Sequence, residues 1–328
     1  MRDKLRNKIF QIKDGAGFEK TCIEMFRYQY KFNTIYRKFS DLLKITPSSV
    51  DKIEKIPFLP IEFFKGHKVV TGKHDGDFTL FKSSGTTGSD VSKHYVKEIE
   101  LYRESFTRGF ELFFGPVNSY SILALLPSYL ERPGSSLVYM INDFIRKTKE
   151  NGSGSYLYDH EELLGKIREL QNSGNKIILW GVSFALLELA GKAGISLKDV
   201  LVFETGGMKG RRREMAREEL HESLRKGFNT ETVYSEYGMT ELMSQAYSKG
   251  SGVFRTVPWM KVLIRDMNDP LDYTIQGKTG GINIIDLANI DSCCFIATQD
   301  LGRLHADGSF EVMGRFDNSD VRGCNLMI

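Results

Sequence analysis

The chain has 328 residues, of which 41% are apolar and 27% charged, and its formal net charge is +3. This composition is that of a globular protein long enough for one large domain or two smaller ones. The small net charge argues against nucleic-acid binding, and no apolar run of the sequence approaches the length of a membrane span. The first twenty residues are polar and mixed in charge, unlike a signal peptide, so the expected location is cytoplasmic.

Helical and extended patterns alternate in the first part of the chain. Apolar residues recur at helical spacing over residues 18–43, which predicts an amphipathic helix, broken at most once and stopped by Pro47. Residues 56–60 are typical of an extended connector, because residues before proline avoid the α region. Short strands are predicted at residues 69–70 and 78–81.

The second of these strands leads into a run of small residues, with the sequence FKSSGTTGS at residues 81–89. Its glycines allow sharp turns that expose backbone N–H groups, and Ser83, Ser84, Thr86 and Thr87 add hydroxyl donors. Such a nest suits an anion, most often phosphate. It lacks the spacing of a P-loop, and a flexible surface loop is the alternative interpretation.

Beyond this loop the patterns predict alternating strands and helices. Helices are predicted at residues 95–114, 137–146, 161–171, 183–190 and 210–226, and strands at residues 120–126, 176–180, 200–203 and 232–234. Residues 151–155 are expected to form a flexible surface loop. Strand–helix alternation of this kind indicates a parallel sheet with helices on both faces.

From about residue 249 helical periodicity ends. Short β-like runs at residues 260–264, 281–285, 294–297 and 309–313 are separated by turn residues. They predict a small antiparallel sheet or partial, distorted barrel. The fold class is therefore α/β, with a large parallel-sheet-rich body at residues 1–248 and a β-rich subdomain at residues 249–328.

Two of the predicted parallel strands end in residues that can carry chemistry. In open parallel sheets, ligands bind at the carboxyl ends of strands. One strand is followed by Gly206 and Gly207, which let a flat ligand approach the backbone. The next is followed by SEYGMTE at residues 235–241, where the hydroxyl of Thr240 lies close to the carboxylate of Glu241. A hydroxyl beside a carboxylate suits a magnesium–phosphate site.

Four segments together resemble the motifs of the adenylate-forming superfamily of acyl-CoA synthetases, luciferases and peptide-synthetase adenylation domains. SSGTTG at residues 83–88 is similar to its phosphate loop, and YGMTE at residues 237–241 to its central signature. TQDLG at residues 298–302 is similar to its ribose-binding motif, and GRFD at residues 314–317 to the hinge before its C-terminal domain. Four motifs in this order are far more specific than any one of them.

Within that superfamily the chain resembles the acyl-protein synthetase, or LuxE, type of the bacterial fatty acid reductase complex. The resemblance is carried by LPIEFFK at residues 59–65, SKHY at residues 92–95 and RGCNL at residues 322–326. It implies an enzyme that uses ATP and a fatty acid to form an acyl-adenylate. The acyl group is then carried on a cysteine, here Cys324, and passed to a partner reductase.

The resemblance also implies contacts with the nucleotide phosphates. Thr240 would bond the α-phosphate, and Glu241 would hold Mg²⁺. The charge that develops on the α-phosphate must be neutralised by metal and donors, which agrees with these residue types. The triphosphate of ATP would be clasped by the residues of the loop: Ser83, Ser84, Gly85, Thr86, Thr87 and Gly88.

Adenine and ribose contacts are implied in the same way. Gly206 and Gly207 would lie along the adenine plane, with Tyr237 beside it, and Gly238 is a further cofactor-binding residue. Asp300 would accept from the ribose hydroxyls, and Arg315 would add a positive contact near ribose and phosphate; the alternative is a turn acid and a surface base. The acyl pocket is expected near Gly238 and the ends of the strands at residues 123–126 and 180–181.

The sequence departs from the superfamily pattern in two places. After Gly88 the usual Gly-x-Pro-Lys is replaced by Ser89-Asp90-Val91, and the first lysine is Lys93. The given sequence stops soon after the hinge-like Asp317, whereas full-length ligases continue into a C-terminal domain with a lysine that assists adenylation. This second departure fits the LuxE type and leaves open what replaces that lysine.

Other chemistry-bearing residues are given structural interpretations. The four cysteines show no zinc-ligand spacing, and reduced thiols are expected. Cys22 is expected in the core, and Cys293 and Cys294 in a strand, one facing inward and one outward. A cap at a strand end is the interpretation for Glu204, and structural histidines for His94 and His305. An incidental cysteine is the alternative for Cys324.

The predicted function is ATP-dependent activation of a carboxylic acid, transfer of the acyl group to Cys324, and delivery to a partner such as an acyl reductase. One alternative is a ligase for an aryl or short-chain acid, with CoA or a carrier protein as acceptor. A second alternative, from another class, is a non-catalytic nucleotide-binding subunit that regulates or scaffolds a partner.

Overall fold

The computed structural model describes residues 1–73, 76–83, 91–126, 134–192, 196–206 and 215–316. The chain opens with helices α1 (Arg2–Ile9), α2 (Gly15–Phe32) and α3 (Thr34–Leu42). The break predicted within residues 18–43 is confirmed and falls at Asn33. The Asn33 side chain accepts from the backbone N–H of Tyr36 at 3.0 Å, and so caps α3.

A short connector and a hairpin follow the helices. They comprise β1 (Leu59–Pro60), α4 (Phe63–Gly66), β2 (Thr79–Lys82) and β3 (Lys93–Val96). β2 and β3 pair antiparallel and flank the glycine-rich loop. The strand predicted at residues 69–70 is wrong, because this backbone bonds to a loop: Ser292 Oγ donates to Val69 O at 2.9 Å.

The middle of the chain forms the parallel half of a large sheet. The strands are β4 (Ser121–Leu125), β5 (Gly154–Tyr156), β6 (Ile177–Val182), β7 (Val200–Thr205) and β8 (Val233–Tyr237). They lie in the order β5-β4-β6-β7-β8 and pair in parallel, as predicted. The strand β5 replaces part of the surface loop expected at residues 151–155.

Helices cover both faces of this parallel half. They are α5 (Ile99–Phe114), α6 (Ser136–Lys147), α7 (His160–Asn172), α8 (Ser183–Lys192) and α9 (Arg217–Phe228). Phe110 of α5 packs near Trp180 and Phe203 on one face, and His221 of α9 contacts Glu204 on the other. The helix predicted from residue 95 begins only at Ile99, because residues 93–96 pair with β2.

The β-rich segments near the end of the chain are confirmed as strands. They are β9 (Ala246–Ser248), β10 (Val253–Arg255), β11 (Met260–Arg265), β12 (Thr279–Asp286), β13 (Phe295–Leu304) and β14 (Phe310–Arg315). They are antiparallel and continue from β8 in the order β9-β10-β14-β13-β12-β11.

Within the described residues the two strand groups, with β1 paired to β13, therefore form one mixed sheet of 12 strands. The α/β fold class is confirmed. The domain boundary at residues 248/249 and the partial barrel stay predictions. In the part of the chain that the structure describes, no helix combines the length and apolarity needed to cross a membrane.

The core contains an aromatic layer on one face of the parallel strands. Trp180 stacks on Phe203 with ring centroids 4.7 Å apart, and Phe203 on Tyr234 at 5.1 Å. Cys22 is buried as predicted, but the outward orientation predicted for one of Cys293 and Cys294 is wrong. Both are buried in the turn before β13, which α2 covers.

Candidate active site

The junction between the two halves of the sheet brings three predicted site residues into contact. Asp300 of β13 lies opposite Arg315 of β14 in the strand register. The hydroxyl of Tyr237, at the end of β8, donates to Asp300 Oδ2 at 2.7 Å. Arg315 Nε donates to Asp300 Oδ1 at 3.1 Å. The central signature, the ribose-like motif and the hinge-like motif thus meet at one carboxylate.

The electrostatics of this group fix its protonation states. Burial, and then the neighbouring Asp300 carboxylate, raise the pKa of Tyr237 well above its ordinary value. Tyr237 therefore remains a hydroxyl donor. The Asp300 residue is buried, whereas the side chain of Arg315 is 78% exposed. The Asp300 carboxylate is held by the Tyr237 hydroxyl, and the Arg315 guanidinium beside it is open to solvent. A polar ligand could therefore contact both the carboxylate and the cation.

Glu241 lies in the turn that follows β8 and is buried, with 4% of the residue exposed. Burial raises the pKa of its carboxyl, and a hydrogen bond with the hydroxyl of Ser92 opposes this effect. The charge of Arg315 acts on Glu241 in the same direction as Ser92, so Glu241 and the Asp300 group share one neighbourhood.

Ser92 also joins the two ends of the glycine-rich loop. The N–H of Ser92 donates to Ser83 Oγ at 3.0 Å, and the N–H of Ser83 donates to the Ser92 carbonyl at 3.1 Å. The stem of the loop is therefore closed beside Glu241. Five predicted phosphate-binding residues lie outside the described part of the chain: Ser84, Gly85, Thr86, Thr87 and Gly88.

The backbone of the Thr240–Glu241 turn is held by side chains for which the sequence predicts no functional role. His94 Nδ1 lies 2.8 Å from the carbonyl oxygen of Thr240. Asn289 Nδ2 donates to the carbonyl of Glu241 at 2.7 Å. Just beyond, Asp286 accepts from the N–H of Met243 at 2.8 Å. The sequence predicts a structural role for His94, and its position directly after the loop is the available signal for a role in the site.

The two described glycines of the candidate site are required for different reasons: close packing at Gly238 and backbone conformation at Gly206. Gly238 lies against Glu236, whose Oε1 would be 2.4 Å from a Cβ at that position. Gly206 has φ of +70°, and its carbonyl accepts from Ser183 Oγ at 3.2 Å. Gly207 lies outside the described residues, as does Cys324. Adenine contacts at Gly206, Gly207 and Tyr237, and a cofactor contact at Gly238, stay predictions.

Glu204 does not only cap the end of its strand. Its side chain lies at the centre of a buried cluster of polar side chains. Its carboxylate accepts from Ser183 Oγ at 3.1 Å and lies 3.4 Å from His221 Nε2. Ser235 Oγ approaches the same Nε2 atom at 3.3 Å. A Ser–His–acid hydrolase needs the serine and the acid on opposite ring nitrogens, so this cluster lacks that geometry.

The region predicted for the acyl pocket is packed where the structure describes it. Trp180 is fully buried in the aromatic layer. A Cβ at Gly181 would lie 2.7 Å from Leu186 of α8, so this helix packs directly on the end of β6. The placement of the acyl chain stays a prediction.

Glu241 is the candidate protein ligand for Mg²⁺ in this site. The described residues contain no group of three or more His, Cys, Asp or Glu side chains arranged to hold a metal. Mg²⁺ is commonly bound by one or two carboxylates together with substrate phosphates and waters. A single buried carboxylate beside the stem of the loop predicted to bind phosphate fits that mode.

Comparison with known proteins assigns the family. The family of acyl-protein synthetases, LuxE, matches residues 13–328. The chain belongs to this family. Membership classes it with the acid–thiol ligases, and the resemblance stated from the motifs is confirmed. A long-chain-fatty-acid–luciferin-component ligase from Vibrio harveyi is 21% identical over 326 residues, covering 92% of this chain and 84% of that protein.

Solved structures of adenylate-forming enzymes share the fold. A 2-hydroxyisobutyryl-CoA ligase in the postadenylation state has a TM-score of 0.66 at 10% identity, over 94% of this chain and 69% of that one. ATP-bound MatB from Rhodopseudomonas palustris has a TM-score of 0.53 at 15% identity, over 72% of this chain. The match spans 47% of MatB, so this chain corresponds to about half of that enzyme.

Proposed function

We propose that this acyl-protein synthetase activates a fatty acid with ATP as an acyl-adenylate, transfers the acyl group to Cys324, and delivers it to a partner such as an acyl reductase. The observation that carries this proposal is the convergence of Tyr237, Asp300, Arg315 and Glu241 beside the stem of the glycine-rich loop. Segments far apart in the sequence thereby supply hydroxyl, carboxylate and guanidinium groups to one place.

The proposed chemistry has two group transfers. A carboxylate oxygen of the acid attacks the α-phosphorus of ATP, the bond to the β-phosphate oxygen breaks, and pyrophosphate leaves. The thiolate of Cys324 then attacks the acyl carbonyl, and AMP leaves with the electron pair of the broken acyl–oxygen bond. Mg²⁺, when bound, supplies positive charge to the phosphate oxygens.

The residues of the chain would orient and stabilise these steps. Thr240 would donate its hydroxyl to the α-phosphate, and Glu241 would ligate the metal. Asp300 would accept from the ribose hydroxyls, and the exposed Arg315 side chain would balance negative charge that develops on the phosphate. The buried Tyr237 hydroxyl holds one oxygen of Asp300 and so orients that carboxylate.

The relatives support the choice of acid and of intermediate. The Vibrio harveyi relative is named as a ligase of long-chain fatty acids. The 2-hydroxyisobutyryl-CoA ligase was solved with an acyl-AMP, R3-HIB-AMP, and MatB was solved with ATP. These proteins favour a fatty acid substrate and an acyl-adenylate for this chain.

The proposal is tested first by ATP–pyrophosphate exchange over acids from acetate and benzoate to tetradecanoate. We expect exchange that depends on the acid and is fastest with a long chain. Exchange limited to aryl or short acids would favour the alternative ligase, and ATP binding without exchange for any acid would favour the non-catalytic subunit.

The carrier role is tested by labelling the protein with radioactive acid and ATP. We expect a hydroxylamine-labile thioester in the wild type and in Cys22→Ala, whose thiol is buried, but none in Cys324→Ser. Label that survives in Cys324→Ser would remove the carrier role. Acyl-CoA formation without label on the protein would identify CoA as the acceptor.

A further inference from the structure

We propose that His94 and Asn289 are positioning residues, which hold the Thr240–Glu241 backbone in the geometry that the reaction needs; this inference rests on the proposed function. His94 lies in SKHY, one of the segments that carry the family resemblance, but no role is assigned to it there, and Asn289 lies in none of the motifs. The two residues come from β3 and from the turn before β13, and contact a segment 146 and 48 residues away in the sequence. Both are buried, each with 1% of the residue exposed.

The contact of His94 defines its tautomer. Because the Thr240 carbonyl oxygen can only accept, the proton must be on Nδ1, which lies 2.8 Å away. Burial lowers the pKa of His94 to about 4, so the imidazole is neutral at physiological pH. His94 therefore contributes one N–H donor and no charge.

Asn289 completes the arrangement one residue further along the chain. Its Nδ2 donates to the Glu241 carbonyl, and its side chain also interacts with His94, which partly opposes the effect of burial on the pKa of His94. Both His94 and Asn289 line a cavity of about 10 Å³.

The two donors hold the carbonyls of Thr240 and Glu241, and so affect the position of the side chains on these residues. Thr240 and Glu241 carry the side chains assigned to the α-phosphate and the metal, and their peptide groups are fixed by these two donors. Loss of a donor leaves a buried carbonyl unpaired, and the turn is expected to shift to reach another partner. A displacement of about 1 Å at a reacting group can cost on the order of 100-fold in rate.

The test compares substitutions that keep and remove the donor at one atom. In His94→Asn the amide nitrogen takes the place of Nδ1, whereas in His94→Gln it takes the place of Nε2 and cannot reach Thr240. Asn289→Leu removes the second donor. Asn33→Ala is the matched control, because Asn33 is equally buried and donates to a backbone carbonyl outside the turn, that of Ser292 at 2.9 Å, and not to Thr240 or Glu241.

The measurements are pyrophosphate exchange as a function of Mg²⁺ and ATP, hydrogen exchange of residues 238–245, and the unfolding midpoint. We expect His94→Gln and Asn289→Leu to lower kcat by about 10- to 100-fold and to raise the Mg²⁺ requirement by about tenfold. Faster hydrogen exchange in residues 238–245 should accompany this loss. His94→Asn should stay within about fivefold of the wild type, and Asn33→Ala should lose stability but keep kcat.

Two results would overturn the inference while leaving the proposed function intact. One is equal kcat and Mg²⁺ requirement in His94→Asn and His94→Gln. The other is a loss of kcat in Asn33→Ala as large as that in Asn289→Leu, which would indicate a general effect of lost stability. Absence of exchange in the wild type would instead overturn the proposed function and this inference together.

Discussion

Two acidic groups at the ends of neighbouring strands have opposite surroundings. Glu204 accepts from Ser183 and contacts His221, and the guanidinium of Arg217 lies 3.7 Å away. Burial alone would raise the pKa of Glu204, but His221 and Arg217 lower it below its ordinary value. Glu241 is as buried, yet its pKa is raised, because the Ser92 hydroxyl and the charge of Arg315 only partly offset burial.

This difference suggests a structural role for Glu204 and a ligand-binding role for Glu241. The charge of Glu204 is already balanced by the protein, so a ligand has little to add. The pKa of Glu241 stays raised despite the Ser92 hydrogen bond and the charge of Arg315, so a bound cation would offset the burial of this carboxylate. A buried carboxylate without a paired charge is costly unless a ligand supplies the charge. The substitutions below test this contrast.

The largest effect is expected from Glu241→Gln. The amide keeps the size of the side chain and can bond to Ser92, but it removes the negative charge that would ligate the metal. We expect acid-dependent pyrophosphate exchange to fall by about 1000-fold, as when a central electrostatic group is lost. The thermal midpoint should stay equal or rise, since a desolvated charge has been removed.

Glu241→Asp is the matched control for this substitution. The charge is kept on a shorter side chain, and partial activity with a preference for the larger Mn²⁺ or Ca²⁺ is expected. Wild-type exchange in Glu241→Gln at all Mg²⁺ concentrations would contradict the metal role and remove the contrast with Glu204.

The opposite outcome is expected for Glu204→Gln. This change leaves Arg217 without its counter-ion and weakens the contact with His221, and we expect a loss of about 3 kcal/mol in the free energy of unfolding. Urea denaturation measures this loss. Exchange activity per folded molecule should stay within about threefold of the wild type. A stable but inactive Glu204→Gln variant would show that this cluster also serves the reaction.

A smaller effect on the nucleotide is expected from Asp300→Asn. Replacing a charged acceptor by a neutral amide should weaken hydrogen bonds to the ribose and raise KM for ATP by about 30-fold, with a smaller change in kcat. The wild type should discriminate against 3′-deoxy-ATP, and the variant should lose most of that discrimination. Equal discrimination in both proteins would exclude ribose contact at Asp300.

The sequence predicted the fold wherever local pattern and packing agree. Continuous apolar runs marked the buried strands at residues 121–125 and 177–182, because strands covered on both faces need no polar alternation. The motif resemblance grouped Tyr237, Asp300 and Arg315, which the structure brings into contact. Element type in strongly patterned segments was therefore predictable.

Contacts between distant segments were not predictable in the same way. The sequence predicts a helix from residue 95, whereas residues 93–96 form a strand whose partner lies across a loop, and four residues carry too little periodicity to show this. The contact of His94 with Thr240 depends on the fold placing β3 beside the turn after β8. Asn289 bonds a carbonyl through its side chain, and an isolated asparagine between two strands gives no sequence signal for this.

Glu236 is a third buried carboxyl near Glu204, and its substitution is expected to give the smallest of the effects predicted here. It accepts a hydrogen bond from Thr205 Oγ1 and is buried beside Glu204. Burial, opposed by Thr205 and reinforced by the Glu204 charge, raises the pKa of Glu236 to about 7 from an ordinary value of 4.5. The folded state thus binds this proton more tightly than the unfolded state does.

The sign of the pH dependence follows from this difference. The stabilising contribution of protonated Glu236 is complete below pH 4.5 and is lost as the pH rises through 7, at up to about 1.4 kcal/mol per pH unit. Glu236→Gln should remove this slope from the free energy of unfolding measured in urea between pH 5 and 8, whereas Glu219→Gln, at an exposed position, should keep it. An unchanged slope in Glu236→Gln would mean that Glu236 is ionised in the folded protein. Its charge would then have to be balanced as that of Glu204 is. Of Glu204, Glu236 and Glu241, only Glu241 would then have a raised pKa.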